Sequence, residues 1–271
     1  MIKESSKTEL PEKVFSFGTL VTNLEEYKQM IASAKLVGFD DENSEFLYID
    51  NSDKNKFDGF SGFNHLNKIA KGKYLVFCHQ DILFTHSTRK DLLERISEIY
   101  EVDPNWGLIG NAGYTKHCHK IIRITDKKYD NASIGIFPHE VVSLDENFII
   151  LNRKCHIVAS SNMDGFHLYA IDICLNAKNF GYKSYVIDFH LTHNGNAYMG
   201  QHYADTQQKL IEIISKRKET QLLLPMCSQF YISSSSIMTR FLNQKWLINL
   251  HKSLSKKKNP LKRIKSLDKD N

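Results

Sequence analysis

The chain predicts an α/β fold, a mostly parallel sheet with helices on both faces, from three observations. Tyr74-Leu75-Val76-Phe77-Cys78 is an unbroken, mostly apolar run behind the turn Lys71-Gly72-Lys73, as expected of a strand buried on both faces. Strand-like and helix-like stretches alternate through the first 113 residues. At 271 residues and 41% hydrophobic, the chain can bury one substantial core and carry an appendage.

The elements follow in order. Val14 to Thr19 reads as a first strand. Asn23 can cap the next helix, with Glu25 and Glu26 in its first turn and Leu24, Tyr27, Met30, Ile31 and Ala34 at helical spacing. Glu45 to Ile49 is a second strand, stopped by the polar cluster Asp50-Asn51-Ser52-Asp53-Lys54-Asn55. Phe57 to Ala70 is a helix leading into the Tyr74 strand, and Ser87 to Tyr100 is another, with Leu92, Leu93, Ile96, Ile99 and Tyr100 on one face. Trp106 to Gly113 gives a short strand and a glycine-bearing turn. Tyr114 to Phe137 is irregular and basic, with Lys120 to Thr125 as a strand inside it. Val141 to Arg153 has strand character on both sides of the acidic turn Asp145-Glu146-Asn147. Tyr169 to Phe180 is a helix ended by Gly181, Tyr182 to Ile187 is a strand, and a long helix from Tyr203 to Lys216 opens a mainly helical C-terminal third.

The formal net charge of +5 is uneven. Between Lys252 and Lys269 the chain carries Lys252, Lys256, Lys257, Lys258, Lys262, Arg263, Lys265 and Lys269 against the single acid Asp268, interleaved with apolar residues from Trp246 to Ile264. Such a tail suits an anionic membrane surface or nucleic acid. No stretch reaches the roughly 18 to 20 apolar residues that span a bilayer, and the polar start lacks a secretory h-region, so a cytoplasmic location is expected. The five cysteines are scattered and odd in number, which fits reduced thiols rather than a disulfide framework.

The Tyr74 strand empties into His79-Gln80-Asp81, placing an imidazole and a carboxylate where open α/β sheets bind ligands. Asp50, ending the second strand, suits either a nucleotide contact or a local Asx turn. His117-Cys118-His119 with Cys155-His156 lacks the ligand spacing of a structural zinc site. Gly18 stands alone after the first strand, so no glycine-rich phosphate loop is present there.

The order of the pieces resembles the nucleotide-sugar-dependent glycosyltransferases of the GT-A fold, in particular the large family-2-like group. The matching pieces are the Asp50-Asn51-Ser52-Asp53 strand end, the helix carrying Asn64 before Ala70 to Tyr74, and His79-Gln80-Asp81. They continue with a Leu144 to Arg153 hairpin and with Phe166 to Leu175 followed by Gly181-Tyr182-Lys183. The resemblance covers residues 14 to 200. His79-Gln80-Asp81 replaces the more usual Asp-x-Asp, as in one branch of the superfamily, and Ala170 stands where an Asp is common.

The resemblance implies transfer of a sugar from a nucleotide diphosphate, a UDP-sugar first, to a hydroxyl of a glycan or lipid-linked glycan, in synthesis of a bacterial surface polysaccharide or lipopolysaccharide. Thr19, Asp50, Asn51, Asn64, His79, Gln80 and Asp81 would bind the nucleotide sugar. Asp81 and His193 would hold a divalent Mn²⁺ or Mg²⁺ that offsets charge on the departing diphosphate. The acceptor needs a general base, for which Asp172 is the first candidate and Asp145 the rival, with His167 near in sequence. A base at Asp172 implies inversion by a single displacement. The expected organisation is a polar arm over 1–13, the GT-A domain over 14–203, and a helical extension with the basic tail over 204–271. For an enzyme on a lipid-linked glycan, the tail's partner is the inner face of the membrane and not nucleic acid. The competing classes are a catalytically inactive carbohydrate-binding or assembly partner of the same fold and a sugar nucleotidyltransferase.

Overall fold

The structure, a computed structural model, describes residues 13–195, 201–216 and 220–257. The N-terminal arm and the tail beyond residue 257 therefore lie outside the described residues.

The amino-terminal half alternates as its patterning demands. Strand β1 (Lys13–Val21) leads to helix α1 (Leu24–Leu36), where the Asn23 side chain accepts from the Glu25 and Glu26 N–H groups. Strand β2 (Ser44–Asp50) precedes α2 (Gly59–Ile69), which begins with a capping box between Asp58 and Ser61. Then come β3 (Gly72–Cys78), the short β4 (Ile82–Leu83) and α3 (Arg89–Val102), capped by Thr88 and Asp91.

Short strands follow: β5 (Trp106–Gly110), β6 (Ala112–Tyr114), β7 (Lys120–Asp126), β8 (Ala132–Ile134), β9 (His139–Val141), β10 (Ser143–Leu144) and β11 (Phe148–Asn152). Helix α4 (Tyr169–Asn179), β12 (Lys183–Val186) and β13 (Leu191–His193) complete the sheets. The C-terminal part contains α5 (Gln201–Ser215), β14 (Gln221–Leu223), β15 (Phe230–Ile232), α6 (Ser236–Leu242) and α7 (Lys245–Lys257).

The main sheet has seven strands in the order β2-β1-β3-β11-β5-β12-β9. Strands β2, β1, β3, β5 and β12 run one way, while β11 and β9 run against them, so the sheet is mixed but mostly parallel. β3 sits inside it, and Tyr74 to Cys78 are all buried. Its side chains alternate between two cores. Leu75 and Phe77 face the core of α2 and α4; Tyr74, Val76 and Cys78 face that of α1 and α3. Helices thus cover both faces.

The structure departs from expectation mainly at one connection. The Leu144 to Arg153 hairpin does not form: β10 pairs with β6 in a second sheet, whereas β11 pairs with β3 and β5 in the first. Within the turn between them Asp145 Oδ1 accepts the Asn147 N–H at 3.0 Å. The strand expected at Lys120 to Thr125 forms as β7, and the same stretch adds β8, in that second sheet, whose order is β10-β6-β7-β13-β4 with β8 on β7. The C-terminal third is mainly helical as expected, and β14 and β15 add an antiparallel hairpin to it. The boundary placed after residue 203 falls inside α5, and Leu210, Ile214, Leu223, Phe230 and Ile232 join the same core as α2 and α4.

Candidate functional site

Backbone pairing assembles the polar end of β3 from three distant segments. The His79 N–H donates to the Asn147 carbonyl at 3.0 Å, which holds the Asp145-Glu146-Asn147 turn beside the strand end. Strand β4 pairs antiparallel with β13, setting Ile82 opposite His193, and the Asn194 N–H donates to the Asp81 carbonyl at 3.0 Å. His193 therefore stands over Asp81. Its Nε2 lies 3.3 Å from Asp81 Oδ1 and 3.4 Å from His79 Nδ1, and Asp81 Oδ1 is 3.9 Å from His79 Nδ1.

This group fits a divalent cation. Among the described residues, one ligand atom from each of His79, Asp81 and His193 can be chosen so that all lie within 4.8 Å of one another. Asp81 Oδ1 is buried without a hydrogen-bond partner; at 3.3 Å its contact with His193 is ionic and lacks the alignment of a hydrogen bond. Gly195 closes the space from the other side, where a Cβ would collide with Asp81 Oδ2 and His193 Nε2. Two imidazoles with one carboxylate suit Mn²⁺ better than Mg²⁺, which prefers oxygen ligands throughout.

Tyr169 orients the first imidazole. Its hydroxyl donates to the Glu146 carbonyl at 3.0 Å and meets His79 Nε2 at 3.3 Å. A phenol has one proton, so toward His79 the oxygen accepts, Nε2 carries the hydrogen, and Nδ1 presents its lone pair to Asp81 and His193. Burial and the neighbouring Glu146 raise the Tyr169 pKa well above its ordinary value, which keeps that proton in place.

The three site groups titrate apart. Burial alone would raise Asp81, but the facing His193 and His79 outweigh it and hold the carboxyl below its usual range. His79 is pushed down by burial and by His193, whereas His193 is raised because Asp81 outweighs its own burial.

Two cavities, each of about 240 Å³, meet at this point, and His79 and Asp81 line both. One runs past Leu20, Thr22, Asn51 and Phe166. The other holds His193, Asp145, Glu146, His167 and Ala170.

The remaining expected residues divide. Asp145 reaches the second cavity, with Oδ1 engaged by Asn147. Gln80 lines the first, but its amide is taken up bracing α1: Oε1 accepts from the Thr22 and Asn23 N–H groups, and Nε2 donates to Thr22 and Glu26. Asn51 clasps its own loop through Lys56 and Phe57. Asp50 forms the Asx turn with Ser52, whose hydrogen bonds lower its pKa. Thr19 is fully buried against Cys78, and Asn64 pins Ala159 through both amide atoms.

Asp172 is turned away from both cavities. It is 2% exposed, accepts from Ser160 N–H at 2.7 Å, Ser160 Oγ at 2.6 Å and Asn176 Nδ2 at 3.3 Å, and holds the 158–160 loop on α4. Its position does not suit a base; Ala170 faces the cavity instead. Glu146, Tyr169 and Gly195 were not anticipated. Their only sequence signal was adjacency to Asp145, the α4 start and His193.

A protein of Fuscovulum blasticum named ATP synthase subunits region ORF 6 is 33% identical over 205 residues, covering 73% of this chain and 82% of that protein. The chain belongs to the family of that protein. The name it carries states no activity. No protein-family model matches the chain. Among solved structures, S. aureus TarS residues 1–349 in complex with UDP-GlcNAc overlaps with a TM-score of 0.49 and 14% identity, over 74% of this chain and 65% of that one. This chain thus spans slightly less than two thirds of that structure. A further TarS structure gives 0.46 at 13% identity, over 75% of this chain and 43% of that one, and A197 from STIV gives 0.38 at 11%, over 70% and 99%. Overlaps below 0.5 assign no activity to this chain.

Tyr169→Phe should release the His79 ring and weaken Mn²⁺ binding by about 10- to 100-fold with the fold retained, measured by titration calorimetry alongside circular dichroism. Asp172→Asn should act on stability instead. Replacing an acceptor-only carboxylate among three donors is expected to cost about 1.5–3 kcal/mol in urea unfolding while metal affinity stays as in the unaltered protein.

Proposed function

We propose that the chain is a nucleotide-sugar-dependent glycosyltransferase of GT-A type, transferring a sugar from a nucleotide diphosphate to a glycan hydroxyl. The observation that carries this reading is the His79, Asp81 and His193 group at the junction of two cavities, at the end of the central strand β3. A diphosphate lying across that junction would put its nucleotide in the cavity past Leu20 and Asn51 and its sugar in the cavity holding Asp145. A divalent ion held by the group would neutralise charge on the departing phosphate. The protein's own part is to orient that ion's ligands through Tyr169 and Gly195, to hold the sugar with Asp145, and to exclude water from a pocket walled by Ile122, Ile124 and Leu144. A single displacement with inversion follows from a base on the acceptor side of that cavity, and the inferred pathway is assembly of a bacterial surface glycan.

With Mn²⁺ present, a bound UDP-sugar at 100 times its Kd should raise the melting temperature by roughly 5 °C, and Asp81→Ala should abolish the shift. A screen of UDP-, GDP- and dTDP-sugars in which nothing shifts the wild type would sink the reading. Metal-dependent donor binding with no turnover would favour the inactive carbohydrate-binding partner.

The same proposal places the enzyme on an anionic membrane through its C-terminal helices. Among the described residues no helix is long and apolar enough to cross a membrane. Helices α6 and α7 instead expose Ile237, Phe241, Trp246, Leu250 and Leu254, and residues 236–257 include Arg240, Lys245 and Lys252 with no acidic residue. Exposed apolar residues on a cationic helix suit the lipid headgroup boundary. Vesicles containing phosphatidylglycerol should co-sediment the full chain and not a chain lacking residues 245–271; equal binding by both removes the membrane role.

A further inference from the structure

The cavity that would hold the transferred sugar contains more ionisable groups than metal and sugar binding require. Asp172 is outside it, Ala170 brings no carboxylate, and one oxygen of Asp145 is engaged by Asn147. Glu146 and His167 remain. His167 Nδ1 lies 3.8 Å from Glu146 Oε2, and the two side chains are only 25% and 21% exposed.

Both are held from separate elements. The Glu146 carbonyl receives the Tyr169 hydroxyl at 3.0 Å, which fixes the turn before β11 against the start of α4. His167 precedes Leu168, a buried residue in the left-handed region at φ 66°, where a side chain other than glycine is strained and persists only if its surroundings enforce it. The His167 ring packs against that of Tyr203 on α5, with centroids 5.4 Å apart. Burial raises the Glu146 carboxyl, and His167 works against that rise.

We propose that His167 is the general base for the acceptor hydroxyl and that Glu146 positions it. With Nδ1 directed at the Glu146 carboxylate, Nε2 is the basic nitrogen of the neutral ring. As the acceptor oxygen forms its bond to the anomeric carbon, its proton passes to His167. The bond from that carbon to the diphosphate oxygen breaks, and the electron pair leaves with the diphosphate. The imidazolium so formed faces the Glu146 carboxylate, which stabilises it.

This assignment rests on the glycosyltransferase reading, and the experiment separates the two. Donor binding is measured first by calorimetry with Mn²⁺ and UDP-GlcNAc, UDP-glucose, UDP-galactose and GDP-mannose. Release of free sugar to water, the simplest acceptor, is then followed for a donor that binds. His167→Gln should lower kcat by about 100-fold and Glu146→Gln by about 10-fold, both with donor KM within about twofold of wild type. Thermal melts of both variants should match the unaltered protein, which a merely structural pair would not allow. A variant that keeps wild-type kcat, or a loss confined to KM, overturns the assignment. So does a wild type that binds a donor and releases no sugar. A wild type that binds none of the four overturns the functional reading itself.

Discussion

The antiparallel pairing of β4 with β13 is the constraint on which the site depends. It comprises two residue pairs, Thr192 with Leu83 and His193 with Ile82, yet it joins segments more than a hundred positions apart. Nothing local would bring His193 to Asp81, and closing so long a loop has an entropic cost that two pairs alone would not offset. The second sheet supplies the rest. β13 also pairs in parallel with β7, and Leu191 and Ile124 are buried in the same core as β3. The His79, Asp81 and His193 group is therefore assembled by the second sheet beside the end of β3.

Charge within the group is matched but not settled. Asp81 stays ionised below its usual range because two imidazoles face it, and His193 holds its proton more tightly because Asp81 faces it. His79, squeezed by burial and by His193, loses its proton more readily, and Tyr169 fixes which nitrogen keeps one. A proton on His193 would serve beside Asp81 in the electrostatic role that a cation could also fill. A divalent ion bound there would compete with that proton, so its affinity should climb as pH rises through the raised His193 value. The buried, unpartnered Asp81 Oδ1 is what such an exchange would satisfy.

Much of the frame could be read in advance because its signals are local. The unbroken Tyr74 to Cys78 run, the Asn23 cap, the α3 stripe and Gly181 after α4 each state their structure within a few residues. Of the second sheet only β7 was legible, as the Lys120 to Thr125 strand. β13 has three residues inside the polar tract Asp188 to Gly195, and β4 has only two, so neither shows an apolar period. Where polar side chains point could not be read for a different reason. Asn64 looks free in one dimension and is engaged by Ala159, 95 residues on, while Gln80 is bound to Thr22 and Asn23, nearly 60 residues back. Whether a polar side chain faces a ligand or its own chain is decided by partners that sequence spacing does not reveal.

Asp172 shows the point most sharply. In a helix, residues two apart are about 200° apart around the axis, so a carboxylate at 172 cannot stand in for one at 170. Ala170 points into the cavity and Asp172 points back at Ser160, as that angle requires. On the proposed glycosyltransferase reading, a chain that lacks the carboxylate at 170 would draw acceptor-side chemistry from some other element reaching the same space. The turn before β11 and the left-handed corner before α4 are the two that do, because β11 runs antiparallel to β3 and delivers its leading turn beside His79. The reversed strand β11 is thus what places Asp145 and Glu146 opposite the His79, Asp81 and His193 group.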